Sequence, residues 1–118
     1  MNRPKIDLDG KQVFLSGPVT GYDRGRTVAR FAAATIKCYE AGAAYVFNPV
    51  DAVKPSTPHE VAMCRCLNEL SMWDFDRESP YYDCILQLDG WEDSEGSRTE
   101  CAVAQACGIP IRRIWELQ

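Results

Sequence analysis

Four short segments of the chain are dense in β-forming and apolar residues: Gln12–Ser16 (QVFLS), Ala44–Asn48 (AYVFN), Cys84–Leu88 (CILQL) and Ile111–Trp115 (IRRIW). The first three are nearly continuous in apolar residues, the pattern of strands covered on both faces. Between them the period becomes helical. Val28, Phe31, Ala32, Thr35 and Tyr39 share one face of a first helix that should stop at Gly42. Thr57-Pro58-His59-Glu60 reads as a capping box with proline at the first helical position, and the helix it opens carries Met63, Leu67 and Leu70 on one face. A third helix starts at about Ser97, runs through the small residues Cys101, Ala102, Val103, Ala104, Ala106 and Cys107, and ends at Gly108 before Pro110. Small side chains let it lie close to a sheet.

Strand alternating with helix implies right-handed crossovers and an α/β domain: a four- to five-stranded parallel sheet between two helical layers, with strand order 2-1-3-4. The topological switch point then lies between strands one and three, and ligands of open α/β sheets bind outside the carboxyl ends of strands at such a point. Two loops should border that crevice, Gly17-Pro18-Val19-Thr20-Gly21-Tyr22 and the segment from Gly90 to Ser97. Asn48-Pro49 and the proline-broken stretch to Pro58 should form a third wall.

With 118 residues, 46% of them hydrophobic, the chain can build one core but not two, so residues 1–118 are read as a single domain. No apolar run approaches the roughly 18 residues of a membrane span, and the segment from Met1 to Asp7 lacks the apolar stretch of a signal peptide. A cytoplasmic protein without a membrane partner is expected. The net charge of −4 leaves no positive field for polymeric nucleic acid, although a single nucleotide can be held by a helix N-terminus and one or two arginines. The six cysteines sit mostly in apolar, regular segments and are expected to be reduced thiols. Cys64 and Cys66 have no second Cys/His pair at zinc-like spacing, so neither a metal nor another cofactor is expected.

The densest candidate chemistry runs from Leu88 to Glu100, where an apolar strand leaves through a polar loop and re-enters a helix. Gly17, Gly21 and Gly25 match neither a dinucleotide fingerprint nor a P-loop, and taken alone they read as turn formers. Glu100 has two readings: a cleft carboxylate, or the last member of a capping box Ser97-x-x-Glu100 that satisfies a backbone N–H. Trp91 reads as a rim or packing aromatic, Asp74 and Asp76 as surface acids, and His59 as an exposed residue of a first helical turn.

Taken together, Val13-Phe14-Leu15-Ser16-Gly17-Pro18-Val19-Thr20-Gly21-Tyr22, Phe47-Asn48-Pro49, Tyr82-Asp83-Cys84-Ile85-Leu86, Gly90-Trp91-x-x-Ser94-x-Gly96-Ser97-x-x-Glu100 and Gly108-Ile109-Pro110 carry a resemblance. The chain resembles, from about residue 12 onward, a poorly characterised family of phages and bacteria that is similar to nucleoside 2-deoxyribosyltransferases and 2'-deoxynucleoside 5'-phosphate N-hydrolases. The resemblance implies a flavodoxin-like, Rossmann-like domain that cleaves or exchanges the N-glycosidic bond of a nucleoside or nucleotide. It places Glu100 at the nucleophile, Ser94 at a phosphate-contacting serine, and Gly17 and Val19 at first-loop substrate contacts. Thr20 stands where the hydrolase-like relatives carry an arginine, and some transferases have an aspartate at the position of Ser94. The aspartate that assists departure of the base corresponds to Asp74 or Asp76. Tyr22, Tyr45 and Trp91 are candidate stacking surfaces, and Asn48 a candidate wall residue. By the same analogy a homodimer or larger symmetric assembly is expected.

A retaining displacement at a sugar carbon needs a carboxylate nucleophile and a partner about 5 to 5.5 Å away. Water resolving the glycosyl intermediate gives hydrolysis and a second base gives transfer. Two rivals compete with this enzyme reading: a nucleotide-binding protein without turnover, which the departures at Thr20 and Ser94 motivate, and an interaction module that would have no concave site around Glu100.

Overall fold

Parity along one strand divides the molecule into its layers. In a computed structural model, which describes residues 6–19 and 23–117, strand β1 (Gln12–Ser16) is buried from Val13 onward. Side chains alternate across a strand, so Val13 and Leu15 enter one core and Phe14 the other. Ser16 falls on the Phe14 side.

Helix α1 (Arg24–Glu40) covers the first face through Thr27, Phe31, Ala34 and Cys38. This face is rotated from the expected one: Val28 and Tyr39 are exposed, and Cys38 with Ala34 does the packing. Asp23 caps the helix by accepting from the Arg26 amide. It stops as expected, with Gly42 at φ 94°, a value that favours glycine.

Strand β2 (Tyr45–Phe47) pairs with β1 in parallel, and the short helix α2 (Pro49–Ala52) follows at once, capped by Asn48, whose Oδ1 accepts from the Val50 amide. Helix α3 (His59–Leu70) begins one residue later than the capping-box reading: Pro58 takes the cap position and no side chain caps the helix. Its buried contacts are Cys66 and Leu70.

A feature absent from the sequence reading comes next, an antiparallel hairpin of β3 (Trp73–Asp74) and β4 (Ser79–Pro80). Its turn is fixed by Asp74, whose Oδ1 accepts from the amides of Asp76 and Arg77, and Arg77 reaches Asp83 at 2.7 Å.

Strand β5 (Cys84–Gln87), helix α4 (Glu95–Ala106) and strand β6 (Ile111–Arg113) complete the chain. A single 3₁₀ turn, Trp91–Asp93, joins β5 to α4. The last strand is shorter than expected because Ile114–Leu117 forms another such turn.

The four parallel strands lie in the order β2-β1-β5-β6, the expected 2-1-3-4, with α1 on one face and α3 and α4 on the other. This is a flavodoxin-like α/β sandwich. Phe14, Phe47 and Tyr82 form the aromatic centre of the α3–α4 side, the two phenylalanines stacked at 4.9 Å between centroids.

The chain leaves β1 outward to β2 and returns inward to β5, so the switch point lies between β1 and β5. Gly17 sits there because no Cβ fits: one would lie 2.8 Å from Leu88 Cβ and 3.4 Å from Phe31 Cζ. Gly17→Ala should therefore destabilise the fold by about 1–3 kcal/mol, as overpacking of a tight core does. Urea denaturation measures it, and an unchanged midpoint would refute the packing argument.

Candidate functional site

Helix α4 presents Ser97 and Glu100 on one face, since residues three apart are neighbours on a helix. Both are buried, at 1% and 6% exposure. Ser16 lies on the same side of the sheet as α4 and donates its hydroxyl to Glu100 Oε1 at 2.7 Å. Burial pushes the Glu100 carboxyl up to about 7, opposed by this bond. The group is thus poised between its two protonation states at neutral pH.

The capping-box reading of Glu100 is overturned. Helix α4 starts two residues earlier than expected, and its cap is Ser94, whose Oγ accepts from the Ser97 amide at 3.2 Å. That leaves the Glu100 carboxylate free to point into the fold. The Ser97 hydroxyl, by contrast, is buried with no hydrogen-bond partner among the described residues, an arrangement that costs about 1–3 kcal/mol unless something completes it.

These residues form the inner end of a cleft of about 660 Å³, within the range of small-molecule sites, about 300–1,000 Å³. Gly17 and Val19 line it at the end of β1. Pro49, Val50, Val53 and Pro55 give it an apolar wall, so the proline-broken segment does form the expected third side. Ala62, Met63 and Cys66 contribute from α3, and Ser94, Gly96, Ser97 and Glu100 from α4. Burial, and then the nearby Glu100, push the Cys66 thiol up to about 12, so it is a neutral wall and not a thiolate nucleophile.

Polar and charged residues that the sequence analysis did not assign to a site also line the cleft. Arg24 stands at the start of α1, Lys54 just after α2 and His59 at the first turn of α3, while Asp93 and Glu95 flank the start of α4. The spacing of paired carboxylates does not reveal such a set, because its members come from five separate stretches of the chain.

Several expected site residues fall elsewhere. Asp74 and Asp76 lie on the β3–β4 hairpin and line no part of the cleft; the Asp74 carboxylate is spent on the hairpin turn. The structure therefore does not bring either aspartate into the cleft that Glu100 lines. Trp91 packs against the α3–α4 core, and Tyr45 stands at the amino end of β2 against Tyr82, so neither offers a stacking surface in the cleft. Asn48 caps α2 and does not line the cleft. Thr20 and Tyr22 lie outside the described residues.

A second hollow, of about 680 Å³, opens at the amino ends of the strands. Its charges are largely compensated, Arg112 by Glu116 and Asp83 by Arg77. The cleft at the carboxyl ends is where a buried carboxylate and an unpartnered hydroxyl meet. Among the described residues no group of three or more His, Cys, Asp or Glu could hold a metal ion, no helix is long and apolar enough to cross a membrane, and the cysteines at 38, 64, 66, 84, 101 and 107 are free thiols.

The raised Glu100 pKa makes the site a stability cost with a definite sign. The folded group holds its proton more tightly than the unfolded one, whose ordinary value is 4.5, so stability falls as pH rises from there through about 7. Glu100→Gln keeps an oxygen to accept from Ser16 and removes the buried charge. It should raise stability at pH 8 by about 3 kcal/mol or less and change little at pH 4.5. Melting curves across that range test this; equal effects at both ends would show that the carboxylate carries no such cost.

No curated protein and no solved structure matches this chain. Residues 11–113 match a protein family described as a domain of unknown function, DUF4406. That match spans β1 through β6 and so includes the whole cleft, and the chain belongs to that family.

Proposed function

We infer that the cleft cleaves or exchanges the N-glycosidic bond of a nucleoside or nucleotide, with Glu100 as the nucleophile. The observation that carries this reading is the Ser16–Glu100 pair: a carboxyl group buried at the end of a ligand-sized cleft, held by one hydroxyl at 2.7 Å, its pKa pushed up to about 7 by burial. The resemblance to deoxyribosyltransferases and nucleotide N-hydrolases, which assigns Glu100 that role, supports it.

In the proposed step an oxygen of Glu100 bonds to the anomeric carbon as the bond to the base nitrogen breaks. The bonding pair leaves with the base, which takes up a proton. Positive charge builds on the sugar beside the carboxylate, where low polarity strengthens the attraction. Ser16 fixes the carboxylate's orientation. Ser97, one turn before Glu100 and without a partner among the described residues, would bond a sugar hydroxyl. The proton for the departing base comes from a cleft-lining group, His59, Asp93 and Glu95 being the candidates. Water or a second base then takes the sugar from Glu100.

Binding of a nucleotide without turnover is the second reading. One observation favours it: the aspartates that the resemblance pairs with Glu100 lie outside the cleft. The interaction-module reading fits less well, because Glu100 does line a hollow.

Incubating the protein with a mixed pool of nucleosides and nucleotides and separating products by chromatography decides between the first two. Release of free base, lost at least 10³-fold in Glu100→Gln as for a removed nucleophile, supports the enzyme; ligand bound and recovered intact supports binding alone. An active protein should gain kcat/KM as pH rises through about 7, where Glu100 ionises. Ser16→Ala removes the bond that favours the ionised form, so that rising limb should move to higher pH. A limb that stays in place would mean that another group controls the rate.

A further inference from the structure

We propose that the outer face of α1 is an interface between two copies of this chain, which pack the helix antiparallel about a two-fold axis at Ala33. This surface lies outside the cleft, and its role does not depend on the glycosidic reading.

Helix α1 is apolar nearly all the way round. From Thr27 to Ile36 its one charged residue is Arg30, and the Arg30 guanidinium donates to the Asp89 carbonyl in the loop after β5. Thr27, Phe31, Ala34 and Cys38 pack inward against the sheet. The opposite face leaves Ala29, Ala32, Ala33 and Ile36 in solvent, with Ile36 at 56% exposure. A helix on the surface of a monomer ordinarily carries its charge opposite the core stripe, and one that is apolar all round is covered on both sides.

The order of residues along this face fits a second copy of itself. Arg26, Ala29, Ala33, Ile36 and Glu40 recur at alternating steps of three and four, the seam spacing of paired helices, and all five are exposed. A two-fold axis at Ala33 brings Arg26 to the level of Glu40 of the partner subunit at one end, and Glu40 to the level of Arg26 of the partner subunit at the other. Opposite charges then meet at both ends, whereas a parallel pair would set like charges together. Size is complementary as well. The small Ala29 leaves room for Ile36 of the partner subunit, and Ala33 at the centre lets the axes approach to about 8–10 Å. Lys37 flanks the seam beside Ile36 and leaves its end to Glu40. An anionic lipid surface would accept the cations but repel Glu40. None of the five seam residues lines the cleft, so each copy keeps its own cleft open. From Arg26 to Glu40 the seam is about 21 Å long, and one helix of that length buries less than the roughly 800 Å² per partner of a standard interface. The dimer is therefore weak, with a Kd on the order of 10 µM.

Sedimentation equilibrium of the full chain from about 1 to 500 µM, a range that brackets this constant, should show a reversible monomer–dimer equilibrium. Ala33→Arg sets two like charges at the axis and should raise Kd at least about tenfold. Ala33 is exposed, so this variant should fold normally, which its melting curve in dilute solution checks. Arg26→Glu and Glu40→Arg should each weaken association several-fold. The double variant Arg26→Glu/Glu40→Arg should recover it, because the ends again meet with opposite sign. Monomer at every concentration would overturn the proposal, and so would a dimer that Ala33→Arg leaves intact, since the contact would then lie on another face. Weakening by both single charge variants with no recovery in the double variant would overturn the antiparallel pairing. Monomer that sediments with phosphatidylserine vesicles and loses them in Ala33→Glu would overturn it by assigning this face to a lipid surface.

Discussion

The contact between the Ser16 hydroxyl and the Glu100 carboxylate governs this molecule, because it joins the last residue of the central strand to the second turn of the helix across the switch point. It exists only if two registers agree. Ser16 must fall on the α4 side of the sheet, which the alternation Val13, Phe14, Leu15 ensures, and Glu100 must face inward on α4, which the cap at Ser94 ensures by setting where the helix begins. A shift of one residue in either element would bury an acid against apolar side chains with no partner. Burial of Glu100 at 6% exposure with a single hydroxyl for support is expensive already. A fold that had only stability to satisfy would place a leucine there.

The same accounting separates the two unpartnered features of the cleft. An exposed lysine without an ion pair loses almost nothing, because water solvates it. A serine hydroxyl buried at 1% exposure without a partner does lose something, since it has given up its water and gained no bond in return. Ser97 and Glu100 are adjacent on one helical face, so the two costs fall in one small volume. Proteins keep local costs of this kind where a ligand or a reaction recovers them.

The architecture was legible in the sequence because its signals are local and repeated. Apolar runs of strand length, helical periods between them, and Gly42 after the first helix together define an alternating α/β order, and that order dictates the sheet. The start of α4 was legible only in outline: both Ser94 and Ser97 are competent caps three residues ahead of a polar partner, and tertiary packing, which buries Ser97, chose Ser94. The hairpin from Trp73 to Pro80 was missed because its strands are two residues long, too short to show a period, and its turn depends on the Asp74 side chain. Counting residues back from Glu100 led to Asp74 and Asp76 for the same reason. Residue spacing does not show where the Trp73–Pro80 hairpin turns the chain, so Glu100 lines the cleft while Asp74 and Asp76 do not. The gathering of Arg24, Lys54 and His59 in one cleft was beyond reach by pattern, since a parallel sheet gathers residues from loops far apart in sequence.

The polarity of the cleft bears on how a glycosyl intermediate, on the reading proposed above, would be resolved. Glu100 and Ser97 are nearly sealed, at 6% and 1% exposure, whereas His59, Lys54 and Glu95 at the outer part are exposed. On that reading, water would reach the inner end only once the base had left the apolar wall of Pro49, Val50 and Val53. Transfer requires that a second base occupy that place before water does. The vacated wall is apolar, which favours a flat aromatic base over a single water, while the charged rim keeps solvent close by. On that reading, the balance between the two outcomes would depend on the apolar wall that Val50 and Val53 form. Changing those side chains would alter the ratio of transfer to hydrolysis without moving the Ser16–Glu100 contact, because they belong to α2 and the segment after it, on the other side of the cleft from α4.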